Sequence, residues 1–119
     1  MKKYFIIILL LTNNSFANAQ EFKKAYFAGG CFWCMEESFD QINGVISTIS
    51  GYSGGHLKNP TYQDVIYKDT GHVEAIEITY DPKIVTFEKL LDIYWKNIDP
   101  FDSAGQFCDK GKSYRSVIF

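Results

Sequence analysis

Residues 72 to 98 change hydrophobic period within a few positions, and that change constrains the fold more than any other feature of the chain. In HVEAIEITY, residues 72 to 80, side chains alternate between two faces, which predicts a strand ended by Asp81-Pro82. From Thr86 to Ile98, the apolar side chains Phe87, Leu90, Leu91, Tyr94, Trp95 and Ile98 follow the 3.6-residue period of an amphipathic helix. A strand followed by a one-sided helix buries both apolar faces only if the helix lies on a sheet.

The rest of the chain supplies that sheet. Ala25 to Gly30 is short, apolar and closed by two glycines, and it leads into Phe32, Met35, Phe39 and Ile42 at spacings of three, four and three. This predicts a strand, a tight turn and a helix closed by Gly44. Val45 to Tyr52 reads as a second strand, GYSGGHLKNPTY as a long loop, NIDPFDSAGQFCDKGKS as another loop, and YRSVIF as a last strand. The order strand, helix, strand, strand, helix, strand predicts an α+β fold. Its expected form is a ferredoxin-like two-layer sandwich (split β-α-β), a mainly antiparallel sheet with helices on one face.

The first residues set where this domain begins. Lys2 and Lys3 precede an apolar run from Tyr4 to Leu11, and polar residues then lead to Ala17-Asn18-Ala19. That order is expected of a signal peptide, 1–19, with export to the periplasm or beyond the cell; the run is about half of the ~20 residues a spanning helix needs. No stable membrane anchor is expected. Residues 20–119 then form one domain. Removing Lys2 and Lys3 from the 12 basic residues leaves 10 against 14 acidic ones, a net of about −4 with no basic run, so nucleic acid is not an expected partner.

Three cysteines, Cys31, Cys34 and Cys108, are an odd number and too few for a disulfide scaffold. Cys31 falls at the predicted start of the first helix, where unpaired N–H groups favour an anion and so the thiolate. It is a candidate nucleophile; the alternative is a buried cysteine or a structural half-cystine. Cys34 lies one turn further on, so C-x-x-C is a plausible reversible disulfide. A zinc site needs about four ligands, and only His56, His72 and the distant Cys108 remain to supply them. Phe32 and Trp33 are either core residues or lining, but adjacent residues diverge by roughly 100 degrees on a helix, so at least one of them should face the mouth beside Cys31.

Alternation along residues 72 to 80 turns Glu74 to the side of Ile76, Ile78 and Tyr80, and Glu77 to the other. A carboxyl among apolar groups stays protonated longer, which suits a general acid. The alternative is that Glu74 sits at the strand edge and reaches water or a lysine.

From Ala25 to Phe119 the chain resembles the A-type peptide methionine sulfoxide reductases. The resemblance rests on GGCFWCMEESF at 29 to 39, GVISTISGYSGG at 44 to 55 and NPTYQDV at 59 to 65. It continues in TGHVEAIEITYDP at 70 to 82, LLDIYWKNIDP at 90 to 100 and GQFCDKGKSYRSVIF at 105 to 119. It implies that Cys31 attacks the sulfoxide sulfur, that Phe32 and Trp33 hold the substrate methyl, and that Tyr62, Glu74, Asp109 and Tyr114 surround the sulfoxide oxygen. Glu74 would deliver a proton to the departing oxygen, helped by Tyr62 and Tyr114. Cys31 would remain as a sulfenic acid, and a second thiol, Cys34 or Cys108, would condense with it to a disulfide.

No cofactor is implied; a thioredoxin-like dithiol is the expected electron donor, oxidised proteins or peptides containing methionine sulfoxide are the expected substrates, and a monomer is expected. Two departures stand out. Many family members continue into a tail with a resolving cysteine, which this chain is expected to lack, and many have glycine where Cys34 stands. The rival readings are a general thiol-disulfide oxidoreductase, which needs neither Glu74 nor the tyrosines, and a truncated relative without activity.

Overall fold

The computed structural model of the chain describes residues 20–119; the expected signal peptide, 1–19, lies outside the described residues. In order along the chain are β1 (Lys23–Ala28), α1 (Phe32–Asp40), β2 (Val45–Ser53), α2 (Tyr62–Tyr67) and β3 (Val73–Tyr80). Then come α3 (Phe87–Lys96), β4 (Gly105–Gln106), β5 (Asp109–Lys110), a 3-10 turn at Lys112–Tyr114, and β6 (Val117–Ile118).

Four strands form one sheet in the order β2-β3-β1-β6, each neighbouring pair antiparallel. β3 therefore lies between β1 and β2, the two strands that α1 connects. In the β1–β3 register Ala25 faces Ile78 and Phe27 faces Ile76, so one face of the sheet presents a continuous apolar surface. Phe32, Met35 and Phe39 of α1 and Leu90 and Tyr94 of α3 pack against it in a single core. The mixed fold, the antiparallel sheet and the two helices on one face follow the periodicities read from the sequence.

Phe27 stands at the centre of this core, with ring centroids 5.7 Å from Phe39, 5.9 Å from Phe87 and 5.0 Å from Tyr94. Truncating a ring so enclosed costs about 3 to 5 kcal/mol. The Tyr94 hydroxyl donates to the Ala28 carbonyl at 2.8 Å, so the one polar atom of that buried side chain is satisfied.

Three parts differ from expectation. α2 lies just past the long loop expected from the sequence. Its N-terminus is a capping box in which Thr61 Oγ1 accepts the Asp64 N–H at 3.2 Å and an Asp64 carboxylate oxygen accepts the Thr61 N–H at 2.9 Å. Six residues are too few for a period to show, so the Thr-x-x-Asp spacing was its only signal. The β4–β5 hairpin falls inside the second expected loop. Finally, the last strand is shorter than YRSVIF: Tyr114 ends the 3-10 turn, and only Val117 and Ile118 pair with β1.

Candidate active site

The turn after β1 brings a thiol to the start of a helix. Cys31 is the residue that caps α1, and its carbonyl accepts the Met35 N–H at 3.2 Å. Gly30 precedes it with φ +88°, and a Cβ there would meet Cβ of Gln106 at 2.8 Å, so only glycine lets the 105 to 109 segment approach the helix start. Gln106 is itself buried. Its side chain donates to the carbonyls of Asp99 (2.8 Å) and Gly105 (2.7 Å) and accepts the Asp99 N–H (2.7 Å), which anchors that segment.

β3 supplies the carboxyl. Glu74 is 2% exposed, lies opposite Tyr52 in the β2–β3 register, and accepts the Phe32 N–H at 3.1 Å. Burial raises its pKa above the ordinary carboxyl value; the Phe32 N–H acts in the opposite direction, and the charge of Asp109 adds to the rise. Glu77, on the other face, pairs with Lys24 at 2.6 Å and is lowered by that contact. Glu74 is thus the buried one of the two, as the alternation requires, and among the described residues no lysine pairs with it.

Tyrosines complete the surroundings of Glu74. Tyr62 opens α2 and is half exposed, and Tyr114 closes the 3-10 turn. Burial, then the neighbouring Tyr62 hydroxyl, Glu74 and Asp109, push the Tyr114 hydroxyl well above its ordinary range. Tyr52 is raised by burial, Glu74 and Tyr62. Both stay protonated at neutral pH and so remain hydrogen-bond donors. Tyr52 was not singled out from the sequence. Its signal was its register opposite Glu74, which becomes readable only once the hairpin is paired.

The aromatic pair divides its work. Phe32 belongs to the core, with its ring centroid 5.6 Å from Trp33 and 5.9 Å from Tyr52, while Trp33 is 69% exposed. All three thiols are free; Cys31 is half-buried, and Cys34 and Cys108 are exposed. The three line one cleft of about 330 Å³ together with Asp109. The Cys34 thiol is pushed up by the atoms packed around its sulfur, and further by Cys31, Asp109 and Glu37.

His72 is engaged elsewhere: its Nδ1 accepts the Gly55 N–H at 3.2 Å and its Nε2 lies 2.9 Å from the Leu57 carbonyl, so the ring fastens the loop after β2. Among the described residues, no group of three or more His, Cys, Asp or Glu side chains is arranged to hold a metal ion.

A thiol, a buried carboxyl and phenolic donors around one point can exchange an oxygen atom for a proton and an electron pair. Residues 23–119 match the family model described as peptide methionine sulfoxide reductase. The peptide methionine sulfoxide reductase MsrA of Bacillus licheniformis is 54% identical over 101 residues, 85% of this chain and 56% of that protein. That of Listeria welshimeri is 57% identical over 100 residues, 84% and 56% of the respective chains. Among solved structures, methionine sulfoxide reductase A of Corynebacterium diphtheriae superposes with a TM-score of 0.80 at 37% identity, covering 82% of this chain and 46% of that one. Reduced Mxr1 of Saccharomyces cerevisiae gives 0.78 at 31% identity, covering 86% and 61%. The chain spans about half the length of the curated relatives it matches.

Proposed function

The chain belongs to the peptide methionine sulfoxide reductase family, and on that premise we propose that it reduces methionine S-sulfoxide, free or within proteins, to methionine with its own thiols. The observation that carries this reading is the buried Glu74 carboxyl, held at 3.1 Å on the N–H of the residue that follows Cys31. Thiol-disulfide exchange releases no oxygen, so it does not call for an acid placed together with the Tyr62 and Tyr114 hydroxyls as donors to one.

In this reading the Cys31 thiolate attacks the sulfoxide sulfur while Glu74 gives a proton to the oxygen, with Tyr62 and Tyr114 donating hydrogen bonds to it. The sulfoxide gains two electrons and leaves as methionine. The protonated oxygen passes from the substrate sulfur to Cys31 as the newly formed Cys31–substrate sulfur bond breaks, leaving Cys31 as a sulfenic acid, so the thiol sulfur is the atom oxidised. Cys34 then attacks that sulfur, the hydroxyl leaves as water, and a Cys31–Cys34 disulfide forms. A thioredoxin-like dithiol restores both thiols.

Selection of the sulfoxide rests on its oxygen. Burying the methyl contributes only ~0.8 kcal/mol, and methionine carries the same methyl. Leaving buried hydroxyl and carboxyl donors without an acceptor costs about 1 to 3 kcal/mol each. Trp33, exposed beside Phe32, offers the apolar wall against which the methyl would lie.

Export by cleavage after Ala19, with repair of oxidised exported proteins by a monomeric enzyme, completes the proposal. The test is turnover of a methionine S-sulfoxide peptide with dithiothreitol, with the R epimer as control. We expect the S epimer alone to be consumed. Reduction of insulin disulfides without loss of either epimer would assign the chain to general thiol exchange instead.

A further inference from the structure

Resting on the sulfoxide-reductase reading, we propose that His72 is a positioning residue of the reaction: its ring holds the loop that precedes α2 against the start of β3, and so sets the Tyr62 hydroxyl relative to Glu74.

The two groups are held in different ways. Glu74 is buried, and its carboxylate is fixed on the Phe32 N–H at 3.1 Å. Tyr62 is half exposed, so packing fixes its ring on one side only. Its place has to come from the backbone that leads to it.

Residues 70 to 72 lie immediately before β3 and fasten two other segments to it. The Thr70 carbonyl accepts the His56 N–H at 3.0 Å, and the Gly71 carbonyl accepts an N–H of Arg115, the residue after Tyr114, at 3.2 Å. His72 adds the Gly55 N–H, 3.2 Å from Nδ1, and the Leu57 carbonyl, 2.9 Å from Nε2. An Nδ1 that accepts carries no hydrogen, so Nε2 carries it and donates, and the neutral ring bridges two points of one loop. The fit is close: a Cβ on Gly55 would overlap the His72 ring, so only glycine passes there. Both ring nitrogens are taken up in this way, and His72 therefore acts through the loop and not on the substrate.

The connection from this clamp to the phenol is short and stiff. Residues 58 to 61 alone separate Leu57 from Tyr62. Asn59 stands at φ +49°, the φ of Pro60 is fixed by its ring, and Thr61 is tied into the capping box of α2. A shift of Leu57 is passed on to Tyr62 rather than absorbed. His72 stands two positions before Glu74, so the acid and the phenol are both referred to one strand. Tyr114 is tied to the same place by a different route, through Arg115 on Gly71.

The experiment is a double-mutant cycle on the full chain, read as single-turnover reduction of a methionine S-sulfoxide peptide. His72→Ala is measured in the unmodified chain, in Tyr62→Phe and in Tyr114→Phe. We expect it to slow reduction by about tenfold or more in the unmodified chain and in Tyr114→Phe, since a donor misplaced by ~1 Å has a cost of that order or larger. In Tyr62→Phe the further loss should be less than about twofold, because no hydroxyl is left to place. A general loosening of the fold would instead slow all three backgrounds by the same factor. That result, or an unchanged rate in His72→Ala, would overturn the proposal. His72→Asn, whose side-chain oxygen can still accept the Gly55 N–H, is taken through the same cycle with a smaller expected fall, and it decides the matter should His72→Ala fail to fold. Failure of the sulfoxide-reductase reading shows separately, as absence of S-sulfoxide turnover by the unmodified chain with dithiothreitol.

Discussion

The Glu74 carboxylate and the Phe32 backbone N–H are hydrogen-bonded at 3.1 Å, tying β3 to the first turn of α1 across 42 positions of sequence. One contact thus sets the distance between the acid and the thiol. The same N–H favours the ionised form of Glu74, but burial opposes it more strongly and the net direction is upward.

Glu74→Gln is expected to lower sulfoxide reduction by roughly 10²-fold or more, because the proton donor is lost while a side-chain oxygen remains to accept the Phe32 N–H. Cys31 should still react with an alkylating reagent. Glu77→Gln, on the opposite face, is the control and should keep nearly full activity. Equal activity in the two variants would remove Glu74 from the mechanism.

The raised carboxyl also makes a pH-dependent contribution to stability. With its folded pKa above the unfolded value of about 4.3, Glu74 holds its proton in the native state after the unfolded chain has lost it. Its stabilising contribution is full below the unfolded pKa and is lost as pH rises through the folded one. Glu74→Gln has no such titration, so its stability relative to the unmodified chain should improve from pH 4 to pH 8. Urea denaturation at the two pH values measures this, and a constant difference would mean that the pKa is not raised.

Cys34, rather than Cys108, is expected to resolve the Cys31 sulfenic acid. Cys34 lies one turn along α1 and needs only local fraying, whereas Cys108 sits on a separate element, the β4–β5 turn. Against this, all three thiols line one cleft, so the competition is real. Each single Cys→Ser variant, treated with one equivalent of methionine sulfoxide without reductant, should be mapped by peptide mass. A Cys31 to Cys108 bridge in the unmodified chain would reverse the assignment.

How much could be read in advance depended on period and on length. α3 and β3 were legible because each repeats its period several times, and Glu74 was found because one carboxylate broke the apolar alternation of β3. α2 and the β4–β5 hairpin are too short to repeat anything, and they are held by local devices, a capping box and the buried Gln106 side chain. Tyr52 escaped notice because its place opposite Glu74 depends on the pairing of two strands. Pairing across strands is tertiary information, and a single strand does not carry it.

Thr61→Ala tests the device under Tyr62. Loss of the Oγ1 that accepts the Asp64 N–H should cost about 1 kcal/mol of stability in urea titration, with a larger proportional fall in sulfoxide turnover if Tyr62 is displaced. Unchanged stability would mean that α2 is held by packing of Val65 alone.

Export should remove residues 1–19. Intact-mass analysis of the exported protein is expected to find Gln20 first, and a mature mass that still includes Met1 would sink the proposal.

The insertion of β3 between β1 and β2 has a kinetic consequence. Cys31 follows β1 directly, but Glu74 arrives only when a strand more than forty positions later has threaded between its predecessors, a closure whose entropy must be met before the contact rewards it. A nascent or unfolded chain therefore carries the thiol without its acid. On the proposed mechanism, sulfoxide turnover would report sheet closure, and during refolding it should appear later than the helical signal.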